Sequence, residues 1–212
     1  MKTRFKNIMS HIPLISNKTK LLISVSLVGI AFIAFCICPE RLDTQICLLA
    51  MFFSFLGDLS LNSMPLNKRP HWLLYIGAAF FMVAHLQYAA AYYWLIFESN
   101  KVFFNPGANI AITFMVLLFA VSVAFAIIFK SKPKLMTIIV FCLYTFIIGI
   151  NFVTIYSYSW SFASASFIGA LSFLISDFII GIETVFKVKN ETLRKLVWVF
   201  YPFGQILIIV CR

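Results

Sequence analysis

Charge is what this sequence has least of. Only 11% of its 212 residues are Asp, Glu, Lys or Arg, and 62% are hydrophobic, with a mean hydropathy of +0.98. Soluble domains carry about 25% charge, so the composition excludes one and implies an integral membrane protein. Acids are scarcest, seven against 17 Lys and Arg. Histidine is nearly missing too: His11, His71 and His85 are the three. No Cys/His spacing resembles a zinc site, so a hydrolase built on three zinc-binding histidines is disfavoured and no cofactor is expected. No serine sits in a Gly-x-Ser-x-Gly elbow. Phe55-Leu-Gly-Asp58 lacks the first glycine of the Gly-x-Gly-Asp used by intramembrane aspartic proteases, and their Tyr-Asp and Pro-Ala-Leu segments are missing as well. There is no internal repeat and no nucleic-acid module. The five cysteines lie within or at the ends of apolar runs, where they read as small hydrophobes. A disulfide among Cys36, Cys38 and Cys47, at the outer ends of the first two helices, is the pairing left open.

What the sequence does have is long apolar runs. Seven of them, at about 21–38, 44–61, 72–97, 107–129, 135–155, 161–186 and 193–211, are each long enough to cross a bilayer as a helix. The expected fold is therefore all-α, a polytopic bundle of seven transmembrane helices forming one domain over 21–211. A basic, weakly amphipathic lead-in, 1–20, is expected on the inner membrane surface. Phe35-Cys36-Ile37-Cys38-Pro39 is not a small-residue cleavage site, so the first helix is expected to be retained. Tyr156-Ser-Tyr-Ser-Trp160 reads as an interface belt. With the N-terminus inside, the inner segments 1–20, 62–71, 130–134 and 187–195 hold 14 Lys and Arg, and the outer ones hold Arg41, Lys101 and Arg212. That bias supports an N-terminus inside and a C-terminus outside. The expected location is a bacterial inner (cell) membrane, with the site towards its cytoplasmic half. The expected partners are membrane lipids, with no nucleic acid.

The chain is organised around Gly169-Ala-Leu-Ser-Phe-Leu-Ile-Ser-Asp-Phe-Ile-Ile-Gly181. On a helical wheel of Ser161 to Phe186, Phe167, Ile168, Leu171, Leu174, Ile175, Phe178, Ile179, Ile182 and Phe186 share one large apolar face. Ser166, Gly169, Ala170, Ser172, Ser176, Asp177, Gly181, Glu183 and Thr184 share the other. Such a helix fits lipid on one side and packed helices on the other. Lys187 follows Asp177 by ten residues, about 15 Å along a helix, which puts this carboxyl near mid-membrane. An ionisable group there marks a functional site, or else holds helices together by a hydrogen bond.

Other runs add polar groups. Cys47, Met51, Ser54, Asp58 and Asn62 share a face of the second, and Ala78, Phe81, His85, Tyr88 and Tyr92 a face of the third. His85 reads equally as chemistry or as interhelical glue. Trp198, Tyr201 and Gln205 share a face of the last run, Tyr144 and Thr145 add a weak signal in the fifth, and the fourth is almost wholly apolar. Asp58 and Asp177 sit at comparable depth. Two nearby carboxyls in a low dielectric tend to divide into an acid and a carboxylate, the pairing used where an oxocarbenium-like cation forms.

Four motifs stand in order: Gly57-Asp58, Phe81-x-x-Ala-His85-x-x-Tyr88, Gly169-Ala-x-x-Phe-x-x-Ser176-Asp177 and Tyr201-x-x-x-Gln205. Together, over about residues 50–210, they resemble the YhhN-type lysoplasmalogenase family. The resemblance implies hydrolysis of the vinyl-ether bond of a lysoplasmalogen, giving a fatty aldehyde and a glycerophospho-alcohol. It also implies a lysophospholipid substrate, Asp58 and Asp177 as the catalytic pair, and His85, Tyr88, Tyr201 and Gln205 lining the site. Ser54 and Ser176, on the faces of the two acids, join the candidate substrate-binding residues. Lys68, Arg69, Lys187 and Arg194 are candidates for a substrate phosphate. Two departures stand out: some relatives have an additional helix, and Pro202 lies where it can kink the last helix and shift Gln205. A proton-coupled small-solute transporter and a non-catalytic lipid-binding bundle are the alternatives; against the first stands the absence of inverted repeats.

Overall fold

The computed structural model describes residues 16–62, 70–101, 112, 135–159, 164–185 and 190–212. They form six helices: α1 Asn17–Ile37, α2 Leu42–Asn62, α3 His71–Glu98, α4 Leu135–Ser159, α5 Ala165–Val185 and α6 Glu191–Val210. No strand occurs among them. The expected span at 107–129 and the lead-in as far as residue 15 lie outside the described residues, so six of the seven expected helices are seen. Five of the six are long and apolar enough to cross a membrane, and α5 is apolar over Ala165–Gly181. The protein is an integral membrane protein.

Local chemistry sets the helix ends. The Ser16 hydroxyl accepts from the Thr19 amide and caps α1, so Asn17 to Lys20 belong to this helix and not to the lead-in. Pro39 stops it by disfavouring a helical conformation at Cys38. Asn190 Oδ1 accepts from the amides of Thr192 and Leu193 and starts α6. α4 runs on to Ser159, beyond the expected end at 155 and into the expected interface belt. Tyr156 is buried because its ring packs on Phe167 of α5, with centroids 5.4 Å apart. Cys36, Cys38 and Cys47 carry free thiols.

Each helix packs on the next, and α6 returns to α1, so the described helices close a ring. α5 and α6 meet backbone to backbone. A Cβ on Gly204 would lie 2.8 Å from both the Gly169 carbonyl oxygen and the Phe173 amide nitrogen, a contact that only glycine permits. α5 is consequently flanked on more than its polar side. Ser166, Gly169, Ala170, Ser172, Ser176 and Asp177 are buried, but so are Phe167, Leu174 and Ile179 from the face expected to meet lipid. Among the described residues of that face, Ile168, 39% exposed, is the most open to the surroundings. At the end of the ring where α1 gives way to α2, buried Asp43 pairs with Arg41 and with Arg212 beyond α6, at 3.0 and 2.8 Å.

Candidate functional site

The polar side chains of the apolar runs meet inside the ring. Asp58, on the last turn but one of α2, is buried, and its Oδ2 accepts from the Ser24 hydroxyl of α1 at 2.6 Å and the Tyr201 hydroxyl of α6 at 2.7 Å. Ser24 shares its proton with the Lys20 carbonyl one turn back, at 3.1 Å. Ser54 and Asn62, on Asp58's own face, are engaged elsewhere. Ser54 accepts from Gln205 Nε2 at 3.3 Å, and Asn62 donates to the Asp58 main-chain carbonyl at 2.9 Å.

Asp177 is equally buried. Its Oδ2 lies 2.9 Å from His85 Nε2, and His85 Nδ1 lies 2.9 Å from the Asn151 amide nitrogen of α4. With Asn151 Nδ2 as the donor, the imidazole proton resides on Nε2 and points at Asp177. Asn151 Oδ1 is buried without a hydrogen-bond partner among the described residues. Ser176, beside Asp177 in sequence, donates back to the Phe173 carbonyl of its own helix at 2.7 Å.

Phe173 stands between the two acids' partners. Its ring centroid is 4.5 Å from that of His85 and 5.5 Å from that of Tyr201. The same ring thus lies against a partner of each carboxyl, His85 of Asp177 and Tyr201 of Asp58. Beyond them, Tyr88 donates to Gln205 Oε1 at 2.6 Å, and one turn further along α3 Tyr92 donates to the Ile208 carbonyl at 2.7 Å. Gln205 thus reaches the interior despite Pro202, because α6 stays helical through the proline.

Asp177 also lines a cavity of about 70 Å³ between α3, α4 and α5, closed in part by Leu61 of α2. Phe81, Phe141 and Tyr144 form much of its wall beside the carboxyl, and the lining is otherwise largely apolar. Asp58 does not line this cavity. Arg194, a candidate for phosphate, is held by Glu183 at 3.1 Å. Lys68, Arg69 and Lys187 lie outside the described residues.

The structure therefore gathers the predicted residues into three neighbouring hydrogen-bonded groups: Asp58 with Tyr201 and Ser24, Gln205 with Ser54 and Tyr88, and Asp177 with His85 and Asn151. Ser24 and Asn151 were missed by sequence reasoning. Ser24 belongs to a run that looks like plain membrane anchor. Its signal was the small face Ser24, Leu27, Ala31, which the structure buries. Asn151 is an amide in the middle of an apolar run, the kind of residue that hydrogen-bonds between membrane helices.

Among known proteins, the model of the YhhN family matches residues 18–211. No curated protein and no solved structure matches the chain.

Proposed function

Because the chain belongs to the YhhN family, we propose that it is a lysoplasmalogenase, hydrolysing the vinyl ether of a single-chain alkenyl glycerophospholipid. The observation that carries this reading is the placement of a buried carboxyl, Asp177, in the wall of an apolar cavity, with a second buried carboxyl, Asp58, whose partner Tyr201 packs on the same Phe173 ring as His85.

In the proposed reaction Asp177 delivers a proton to the outer alkene carbon. The electron pair of the double bond forms the new C–H bond, and the ether oxygen shares the resulting positive charge as an oxocarbenium ion. Water adds to the carbon bonded to that oxygen and returns a proton to the Asp177 carboxylate, giving a hemiacetal. The hemiacetal collapses to a fatty aldehyde and a glycerophospho-alcohol, with the glycerol C–O bond intact throughout. No redox partner is consumed.

The hydrogen bonds support a division of labour. His85 occupies Oδ2 of Asp177 and leaves Oδ1 to carry the transferable proton. Asn151 holds the imidazole from behind, as a positioning residue. Asp58 receives two hydroxyl donors on one oxygen, a setting suited to a carboxylate that steadies the cation and then orients water. Positioned acid catalysis contributes about 10²–10⁴-fold, so Asp177→Asn and Asp58→Asn should each lower aldehyde release by at least about 100-fold while the purified protein keeps its helical circular dichroism. Near-wild-type turnover in either folded variant would remove the two-carboxyl mechanism. In heavy-oxygen water the freed glycerol hydroxyl should stay unlabelled; label there would mean attack at the glycerol carbon.

A further inference from the structure

The cavity beside Asp177 has a second polar station. The Tyr75 hydroxyl of α3 and the Thr137 hydroxyl of α4 both line it, and they lie 3.0 Å apart, bonded across the two helices. In a lining that is otherwise nearly all carbon, the other polar side chains are Tyr144 and Asp177. The Tyr144 ring lies 5.9 Å from that of His85, the partner of Asp177, and so marks the level of the carboxyl on α4. Thr137 precedes Tyr144 by seven residues, so the hydroxyl pair sits about 10 Å along the helix from that level.

That spacing matches a molecule. An extended chain advances about 1.2 Å per bond, so the roughly eight bonds from the protonated alkene carbon through the glycerol to a phosphate oxygen span about 10 Å. Hydroxyls of Tyr and Thr are ordinary phosphate partners. The pair also lies at the end of the bundle where α2 ends and α3 and α4 begin, the end whose connections carry Lys68, Arg69 and Lys134 in the sequence. An anionic headgroup is drawn to that end, and a fatty chain is not.

We propose that Tyr75 and Thr137 form a headgroup subsite, hydrogen-bonding the phosphodiester of the single-chain lipid whose vinyl ether lies at Asp177. This rests on the vinyl-ether reading for the lipid's placement, but it is tested by binding as well as by turnover. The subsite selects a glycerophospholipid over a phosphate-free alkenylglycerol of the same chain length.

The experiment measures the affinity of purified full-length protein for a saturated 1-alkyl-glycerophosphoethanolamine and for the matching 1-alkylglycerol, neither of which can be hydrolysed. Wild-type protein should prefer the phospholipid. In the Tyr75→Phe/Thr137→Val double variant this preference should fall about tenfold, the worth of one or two hydrogen bonds, while Thr137→Ser, which keeps the hydroxyl, should retain it. An equal loss for both ligands, or no loss for either, would reduce the pair to a tie between α3 and α4 and overturn the subsite. Inorganic phosphate should not displace the phospholipid; displacement at comparable concentration would make this a site for free phosphate and overturn the lipid assignment. Turnover of the alkenyl forms is read in parallel. Wild-type protein that binds the phospholipid as expected but releases no aldehyde would sink the vinyl-ether reading and leave the subsite standing.

Discussion

His85 is held at both ring nitrogens, by Asn151 and by Asp177, and this makes a coupled prediction possible. If Asn151 acts by fixing the imidazole, Asn151→Ala should lower aldehyde release about tenfold, the scale of one lost buried hydrogen bond. The same substitution should cost almost nothing further in a His85→Ala background. Additive losses in the two-variant cycle would mean that Asn151 works through packing alone.

At the scale of helices, the α5–α6 seam is the least forgiving contact. Gly204→Ala forces a methyl into backbone that cannot move aside, and should destabilise the protein by about 1–3 kcal/mol, measured by thermal unfolding in detergent. Activity should fall as well, because Phe173, which separates the two acid clusters, is one of the groups displaced. An unchanged melting temperature would mean that α5 and α6 can part without loss. Much at this scale was readable in advance. The apolar runs predicted α2 as 44–61 against Leu42–Asn62, and α3 as 72–97 against His71–Glu98. Period-3.6 faces put Met51, Ser54 and Asp58, and likewise His85, Tyr88 and Tyr92, on sides that the structure buries. The lipid face of α5 was misjudged, because a wheel records which residues share a side but not how many neighbours press on it. The partners of Asp58 could not be read from a wheel for a related reason. Ser54 and Asn62 are near it along one helix, whereas Ser24 and Tyr201 reach it from two others, and pairing between helices leaves no periodic trace.

For the whole molecule, the 14-to-3 distribution of Lys and Arg predicts that a reporter fused after Arg212 works only outside the cytosol. Cytosolic activity there would remove the seven-span topology. The ring of helices has another consequence, for how the protein is made. Tyr201 follows Asp58 by 143 residues and Ser24 precedes it by 34. A ribosome adds about 5–20 residues each second, so on the order of ten seconds pass in which Asp58 has entered the membrane with a serine beside it and no tyrosine. Chains halted before α6 carry a half-satisfied acid in hydrocarbon, and they present to the cell's quality-control proteases a mark that the finished protein hides.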